Sequence, residues 1–203
     1  TLALNSLIRR VLREHKRIIF NGNGYDPAWV VEAEKRGLLN LKTTVDALPY
    51  YIAEKNVELF VKFGVFSASE VHSRYEIKLE NYIKVINIEA QSASDIARRL
   101  ILPAALAFSK EVAKEAELKK SVAPSIPLDT EITLLTKLSA ETAALSVAIE
   151  TLDKAIASQD SGADTLEQAK YTRDAILAGM TDVRKHADAL EGLVAKQFWP
   201  FPT

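Results

Sequence analysis

The stretch LTKLSAETAALSVAIETLDKAI, residues 135–156, places Leu135, Leu138, Thr142, Leu145, Ile149, Leu152 and Ile156 at alternating steps of three and four. That is the a/d pattern of a helix that buries one narrow stripe, here with a single polar member, Thr142. After a break in SQDSGAD (158–164) the alternation resumes with Leu166, Ala169, Arg173, Ile176, Met180, Val183, Ala187, Leu190 and Val194. Two helices of roughly 30 residues joined by so short a loop must run antiparallel, each about 45 Å long. A pair of stripes cannot close a core alone, so a third helix is required. The helical pattern from residue 68 to about residue 120 is the natural candidate. The expected fold is mainly all-α: an antiparallel bundle of long helices, residues 67–203, preceded by a segment of short helices and loops, residues 1–66.

Outward from the seam, local signals punctuate the chain. SASE (67–70) has the form of a capping box, with Ser67 reaching down to the third amide and Glu70 reaching back. Pro103 interrupts the long helix and should kink it, and the two prolines of SVAPSIPLD (121–129) end it. Upstream, Asp26, Pro27 and Gly37 are a cap, a first-turn proline and a left-handed stop, predicting a helix over 27–36. Thr43 or Thr44 opens another helical stretch. It is kinked or restarted at Pro49 and runs through AEKNVELFVKF to a stop at Gly64. Leu4, Leu7, Ile8, Val11 and Leu12 are spaced as one helix face, with Arg13, His15, Lys16 and Arg17 at its negative end. Ile18, Ile19 and Phe20 read as a short strand.

The totals exclude several function classes. With 26 Lys+Arg against 27 Asp+Glu in 203 residues, no cationic excess points to nucleic acid. Cysteine is absent, which removes disulfides and thiolate metal sites. No apolar run reaches the 18 or so residues that span a bilayer, and the start has no signal-peptide core. The expectation is a soluble, cytoplasmic protein with no nucleic-acid or membrane partner. Thr1 stands where Met is expected and the opening reads as mid-helix, which suggests a piece of a longer chain.

The most chemical-looking segment is RIIFNGNGYDPAW (17–29). A dinucleotide fingerprint needs a third glycine where Pro27 stands, and no Gly-Lys-Ser/Thr of a P-loop is present. Asn-Gly twice over is a turn dipeptide that favours positive φ. The reading is a structural turn, with a ligand-contacting loop as the alternative. The histidines, His15, His72 and His186, lack the Glu-x-x-His spacing of di-iron bundles. Asp182 and His186 are one helical turn apart and read as a solvated pair rather than metal ligands. Arg173 either snorkels from the seam or pairs with a carboxylate of a neighbouring helix. Tyr75, Tyr82, Phe63 and Phe66 read as core or interface aromatics. The closing FWPFPT cannot be helical, and its aromatics Phe198, Trp199 and Phe201 are expected to dock. No residue is assigned as catalytic, cofactor-binding or metal-ligating.

The segments RIIFNGNGY, EAEKRGLLNLKTTVDALP, KNVELFVKFGVFSASEVHSRYEI, ENYIKVINIEA and WPFPT together resemble the C-terminal region of type III glutamine synthetases. The resemblance implies a parent enzyme that joins glutamate and ammonia into glutamine at the expense of ATP, through a γ-glutamyl phosphate, with Mg²⁺ or Mn²⁺ in its site. Metal-binding carboxylates and phosphate-holding arginines of such a site lie upstream of these residues in the family. This stretch would then be inactive alone, with residues 1–66 the tail end of the catalytic region. Its partners would be that region and neighbouring subunits of a homo-oligomer. A stand-alone helical interaction or sensor module is the rival reading, and a metal-dependent bundle enzyme a third.

Overall fold

The computed structural model describes residues 2–160 and 162–202, so Thr1, Ser161 and Thr203 of the readings above lie outside the described residues. The helices are α1 (Leu2–Glu14), α2 (Pro27–Lys35), α3 (Thr44–Tyr51), α4 (Glu54–Lys62), α5 (Ala68–Ile96), α6 (Leu102–Val122), α7 (Asp129–Ala157), α8 (Thr165–Tyr171) and α9 (Ala178–Glu191). Two π-helical segments, Ala97–Ile101 and Thr172–Leu177, link α5 to α6 and α8 to α9 without a break. There is no strand among the described residues. The strand expected at 18–20 is therefore corrected: Lys16–Ile18 is a 3₁₀ turn, and Ile19 beyond it is extended without pairing into a strand.

The chain forms two compact units, residues 1–47 and 48–203. In the larger, α7 lies among the other long helices. Leu138, Leu145, Ile149 and Leu152 of the seam are fully or almost fully buried, joined by Ala148. The second seam buries Ala169, Ile176, Val183, Ala187, Leu190 and Val194. Partner residues fix the direction of packing. The Tyr171 hydroxyl donates to the Ala155 carbonyl, a β-carbon on Gly179 would lie 3.1 Å from Leu152 Cδ1, and His186 bonds Glu141. Residue numbers fall on α7 as they rise on α8 and α9, so the two run in opposite directions. The long helix contributes small residues to the same core, Ala90, Ala97 and Ala105 with Ile101, which lets its backbone come close.

By length and composition α7 is apolar enough to cross a bilayer. In this fold its apolar stripe is covered by neighbouring helices instead, and one of its charges, Glu141, is bonded to α9.

Local chemistry accounts for the boundaries. The Ser67 and Glu70 bonds of the capping box are both made, at 3.3 and 2.8 Å. Gly37 and Gly64 have φ of 72° and 64°. Each ends its helix with the same pair of bonds, Gly37 to Glu34 and Leu38 to Ala33, then Gly64 to Val61 and Val65 to Phe60. Thr43 accepts from the Asp46 amide at 3.1 Å and so opens α3. Pro103 sits just past the first π segment, where the Leu102 amide reaches back five residues to the Ala97 carbonyl. A proline ring collides with the carbonyl four residues before it in a regular helix. The extra residue in that turn moves those carbonyls aside, so the rod continues through Pro103.

The tail docks as expected in part. Trp199 is buried in the main core and Phe198 packs on Phe108 at 5.5 Å between ring centres, whereas Phe201 is partly exposed against Trp199. Tyr75 is buried, and burial raises its phenol above the usual range. Phe63, read as a core or interface aromatic, is not in the core: as the residue capping α4 it stands 68% exposed.

Between α6 and α7, Lys119 Nζ lies 2.5 Å from Glu131 Oε1, the Glu131 side chain being mostly buried. The bond to Lys119 holds the Glu131 carboxyl below its ordinary range, and the same bond raises the Lys119 ammonium. A depressed carboxyl stabilises the fold above its unfolded pKa and ceases to do so as pH falls through the folded value.

Two measurements test this architecture. Leu145→Ala should lower stability by about 2–5 kcal/mol in thermal unfolding, while Val147→Ala, at a position 64% exposed, should stay within about 0.5 kcal/mol. Equal effects would mean the seam does not face the core. The destabilisation caused by Glu131→Gln near pH 7 should shrink as pH falls through the folded pKa of Glu131, which the Lys119 bond holds below its ordinary range, because the wild-type carboxyl then becomes protonated too. A penalty that stays constant with pH would show that the ion pair does not hold this hairpin.

Candidate functional site

The loop of residues 17–37 carries the most sequence chemistry, and its geometry is built by three side chains. Phe20 stacks on Trp29 with ring centres 4.2 Å apart. The Arg36 guanidinium stands 5.8 and 5.5 Å from those two rings, donates to Glu32 Oε1 at 2.7 Å and to the Ile19 carbonyl at 2.7 Å. It thus ties the end of α2 to the segment entering the loop. Between them, Asn23 Oδ1 accepts from the Tyr25 amide at 3.0 Å, and its carbonyl accepts from Asp26. Asp26 Oδ1 caps α2 by accepting from Ala28 at 2.8 Å.

This arrangement decides between the two readings of the glycines. A phosphate cradle needs several free amides pointing at one place. Here the Tyr25, Asp26 and Ala28 amides are already taken by the loop's own oxygens, so the turn reading is the better supported. The reason given for it is corrected, however. Neither Gly22 nor Gly24 has positive φ. A β-carbon on Gly22 would sit 2.4 Å from the Phe20 ring, whereas nothing lies within 4 Å of one on Gly24. Close approach of the ring, not backbone handedness, is the constraint at position 22, where a β-carbon would oblige the Phe20 ring to shift. The loop leaves the Tyr25 side chain wholly exposed.

The titratable residues singled out in the sequence are dispersed. His15 is exposed, and His72 Nδ1 lies 2.8 Å from the Ala68 carbonyl of its own helix. His186 is more involved: Nδ1 is 2.8 Å from Glu141 Oε2 on α7, and Nε2 is 3.7 Å from Asp182. The expected Asp182–His186 pair is thus the longer of two contacts, and Glu141, half a bundle away in sequence, is the closer partner. Arg173 forks onto its chain neighbour Asp174 at 2.6 and 2.9 Å, which lowers the Asp174 carboxyl, with a quarter of its side chain exposed. No three His, Asp or Glu side chains are grouped to hold a metal among the described residues.

Polar groups that the sequence reading passed over converge beside the seams. Ser94 donates to Asp153 Oδ1 at 2.6 Å, and Arg98 bonds the other oxygen of the same carboxylate. They line an open pocket of about 350 Å³ with Gln91, Asp95 and Ile156. Deeper, Asn87 donates to Gln159, which donates to Thr172, which donates to the Gln168 carbonyl. This chain ties α5 to the α7–α8 connection. The only advance signal was position: Asp153 follows the seam residue Leu152, and Thr172 precedes Arg173.

Replacing Gly22 with Ala should push Phe20 off Trp29. The expected result is a changed tryptophan emission and near-ultraviolet circular dichroism in a Trp199→Phe background, with Gly24→Ala as the silent control. Identical spectra for both variants would mean the stack does not depend on that glycine.

Comparison with known proteins places this geometry. A sequence model for the family described as glutamine synthetase C-terminal domain matches residues 3–120. A glutamine synthetase of Butyrivibrio fibrisolvens is 37% identical over 98% of this chain, and a type-3 glutamine synthetase of Dictyostelium discoideum 34% identical over 98%. A glutamine synthetase of Bacteroides fragilis is 26% identical over 96%. The chain spans 28–29% of the length of these relatives. Since the family match takes in α1 to α6, more than half of the chain, this protein belongs to the glutamine synthetase C-terminal domain family.

Proposed function

We propose that the chain works as the C-terminal helical portion of a type III glutamine synthetase, an enzyme that joins glutamate and ammonia into glutamine with hydrolysis of ATP. Its part in that enzyme is structural. The long helices brace the catalytic region upstream and supply contacts to neighbouring subunits of a cytoplasmic homo-oligomer, while ATP and Mg²⁺ or Mn²⁺ are held by residues outside this chain. The boundary drawn at residue 66 belongs to the same proposal, with residues 1–66 as the end of the catalytic region and 67–203 as the bundle. The observation that carries it is the match along nearly the whole chain to a protein named type-3 glutamine synthetase.

The physical support is the distribution of chemistry within the chain. Several carboxylates are tied up in helix caps and ion pairs, among them Glu70 with Ser67, Glu131 with Lys119 and Asp153 with Arg98. Apolar side chains, by contrast, form one extended core along the long helices. A portion that invests its sequence in packing rather than in converging polar groups suits a scaffold.

Removing residues 130–195 from the full-length ligase should abolish glutamine formation or subunit assembly, read by product assay and by sedimentation. Residues 1–203 alone should bind no ATP–Mg²⁺ in calorimetry. Micromolar nucleotide binding by the isolated chain, or normal assembly and turnover of the shortened enzyme, would overturn the proposal.

A further inference from the structure

The unit of residues 1–47 has the composition of a folded element but not the interior of one. Only Ala33 and Val45 are buried among its described residues. Helix α1 has none buried, although Leu4, Leu7, Ile8 and Val11 fall on one side of it and Arg9 and Arg13 on the opposite side. Those four apolar residues are 43–58% exposed. A 13-residue helix is marginal in water without a surface to pack on, and its stability normally comes from burying such a stripe. Something must cover this face for α1 to persist.

We propose that the Leu4–Leu7–Ile8–Val11 face of α1 docks into an apolar groove on the polypeptide that precedes it in the full-length enzyme, within the same subunit. This rests on reading the chain as the C-terminal portion of a longer ligase. Two observations select that occupant. The family match begins at residue 3, inside α1, so this helix is part of the shared domain. About seven-tenths of each relative lies outside the matched part, and the matching family is a C-terminal domain, so on the ligase reading that length precedes α1. A groove on a covalently attached neighbour meets α1 at high effective concentration, which a separate molecule does not. The chemistry asked of the groove follows from the helix: an apolar floor about three turns long taking residues at i, i+3, i+4 and i+7, with Arg9 and Arg13 left facing water.

The experiment uses the full-length ligase with a benzoylphenylalanine photo-crosslinker at position 7, expressed as a mixture of ¹⁴N and ¹⁵N subunits. Cross-linked peptides should pair position 7 with residues upstream of Leu2 and show no mixing of isotopes. In parallel, trypsin should cut after Arg9, Arg10 and Arg13 about tenfold or more slowly in the full-length protein than in residues 1–203, because a docked helix must open before it is cleaved. The Leu7→Asp/Val11→Asp double variant should restore fast cleavage in the full-length protein. Isotopically mixed cross-links, cross-links to residues 48–203, or equal cleavage of the two proteins would each overturn the proposal. Glutamine formation by the unmodified full-length protein is assayed separately: its absence would count against the ligase reading, while the cross-link map would still locate what covers α1.

Discussion

Everything in the larger unit depends on α7 having to hide one narrow apolar stripe over its whole length. Leu138, Leu145, Ile149 and Leu152 cannot be covered by a single neighbouring helix, because each helix contacts only a strip of another. Leaving any of them in water forfeits about 1.5–3 kcal/mol per side chain. The fold therefore sets α8–α9 antiparallel along one side and the long α5–α6 rod along the other. The polar member of the seam, Thr142, lies half-buried with its hydroxyl oxygen unpartnered.

Close packing around that stripe shapes the backbone of the neighbours. The long rod approaches through alanines, and a side chain on Gly179 would meet Leu152. Both rods also widen into a π turn, one next to Pro103 and one at Thr172–Leu177. The second has no proline to explain it. Thr172, fully buried, donates back to the Gln168 carbonyl and receives Gln159. A hydroxyl that competes for a helix carbonyl in this way loosens the regular ladder. An inserted residue also shifts the register of a seam. The tail that follows α9, with Phe198 on Phe108 and Trp199 in the core, closes the end of the same interior.

The long helices were legible because their signal is redundant: many positions repeat one spacing, and caps such as Ser67–Glu70 and stops such as Gly37 and Gly64 are strictly local. What stayed illegible depends on distance in sequence. Glu141 as the partner of His186, and Asp153 as the meeting point of Ser94 and Arg98, require knowing which helices touch and at what height. The pair Lys119 and Glu131 brackets a proline turn whose geometry is not encoded by spacing. At 18–20, β-branched residues favour a strand, but propensity without an edge to pair with yields none. Gly22 shows a different failure. Asn-Gly is a sound turn signal, yet the constraint on the glycine is the Phe20 ring, fixed in turn by Trp29 and Arg36.

The two units therefore use apolar residues in opposite ways. In residues 48–203 one set of them faces inward as a continuous core while others, such as Ile77, Leu106 and Leu118, are exposed; in residues 2–47 the large ones mostly face out, along α1 and at Ile18, Val30, Val31 and Leu39. Yet the smaller unit is locally well specified. Asp26 caps α2, Gly37 ends it, Thr43 opens α3, and Arg36 binds the loop to the helix. Local bonds of this kind set conformation but contribute little net stability, since each replaces a bond to water. A segment whose shape is fixed by such bonds, while its apolar surface stays uncovered, is a preformed half of an interface. Its order reduces the entropy lost on docking.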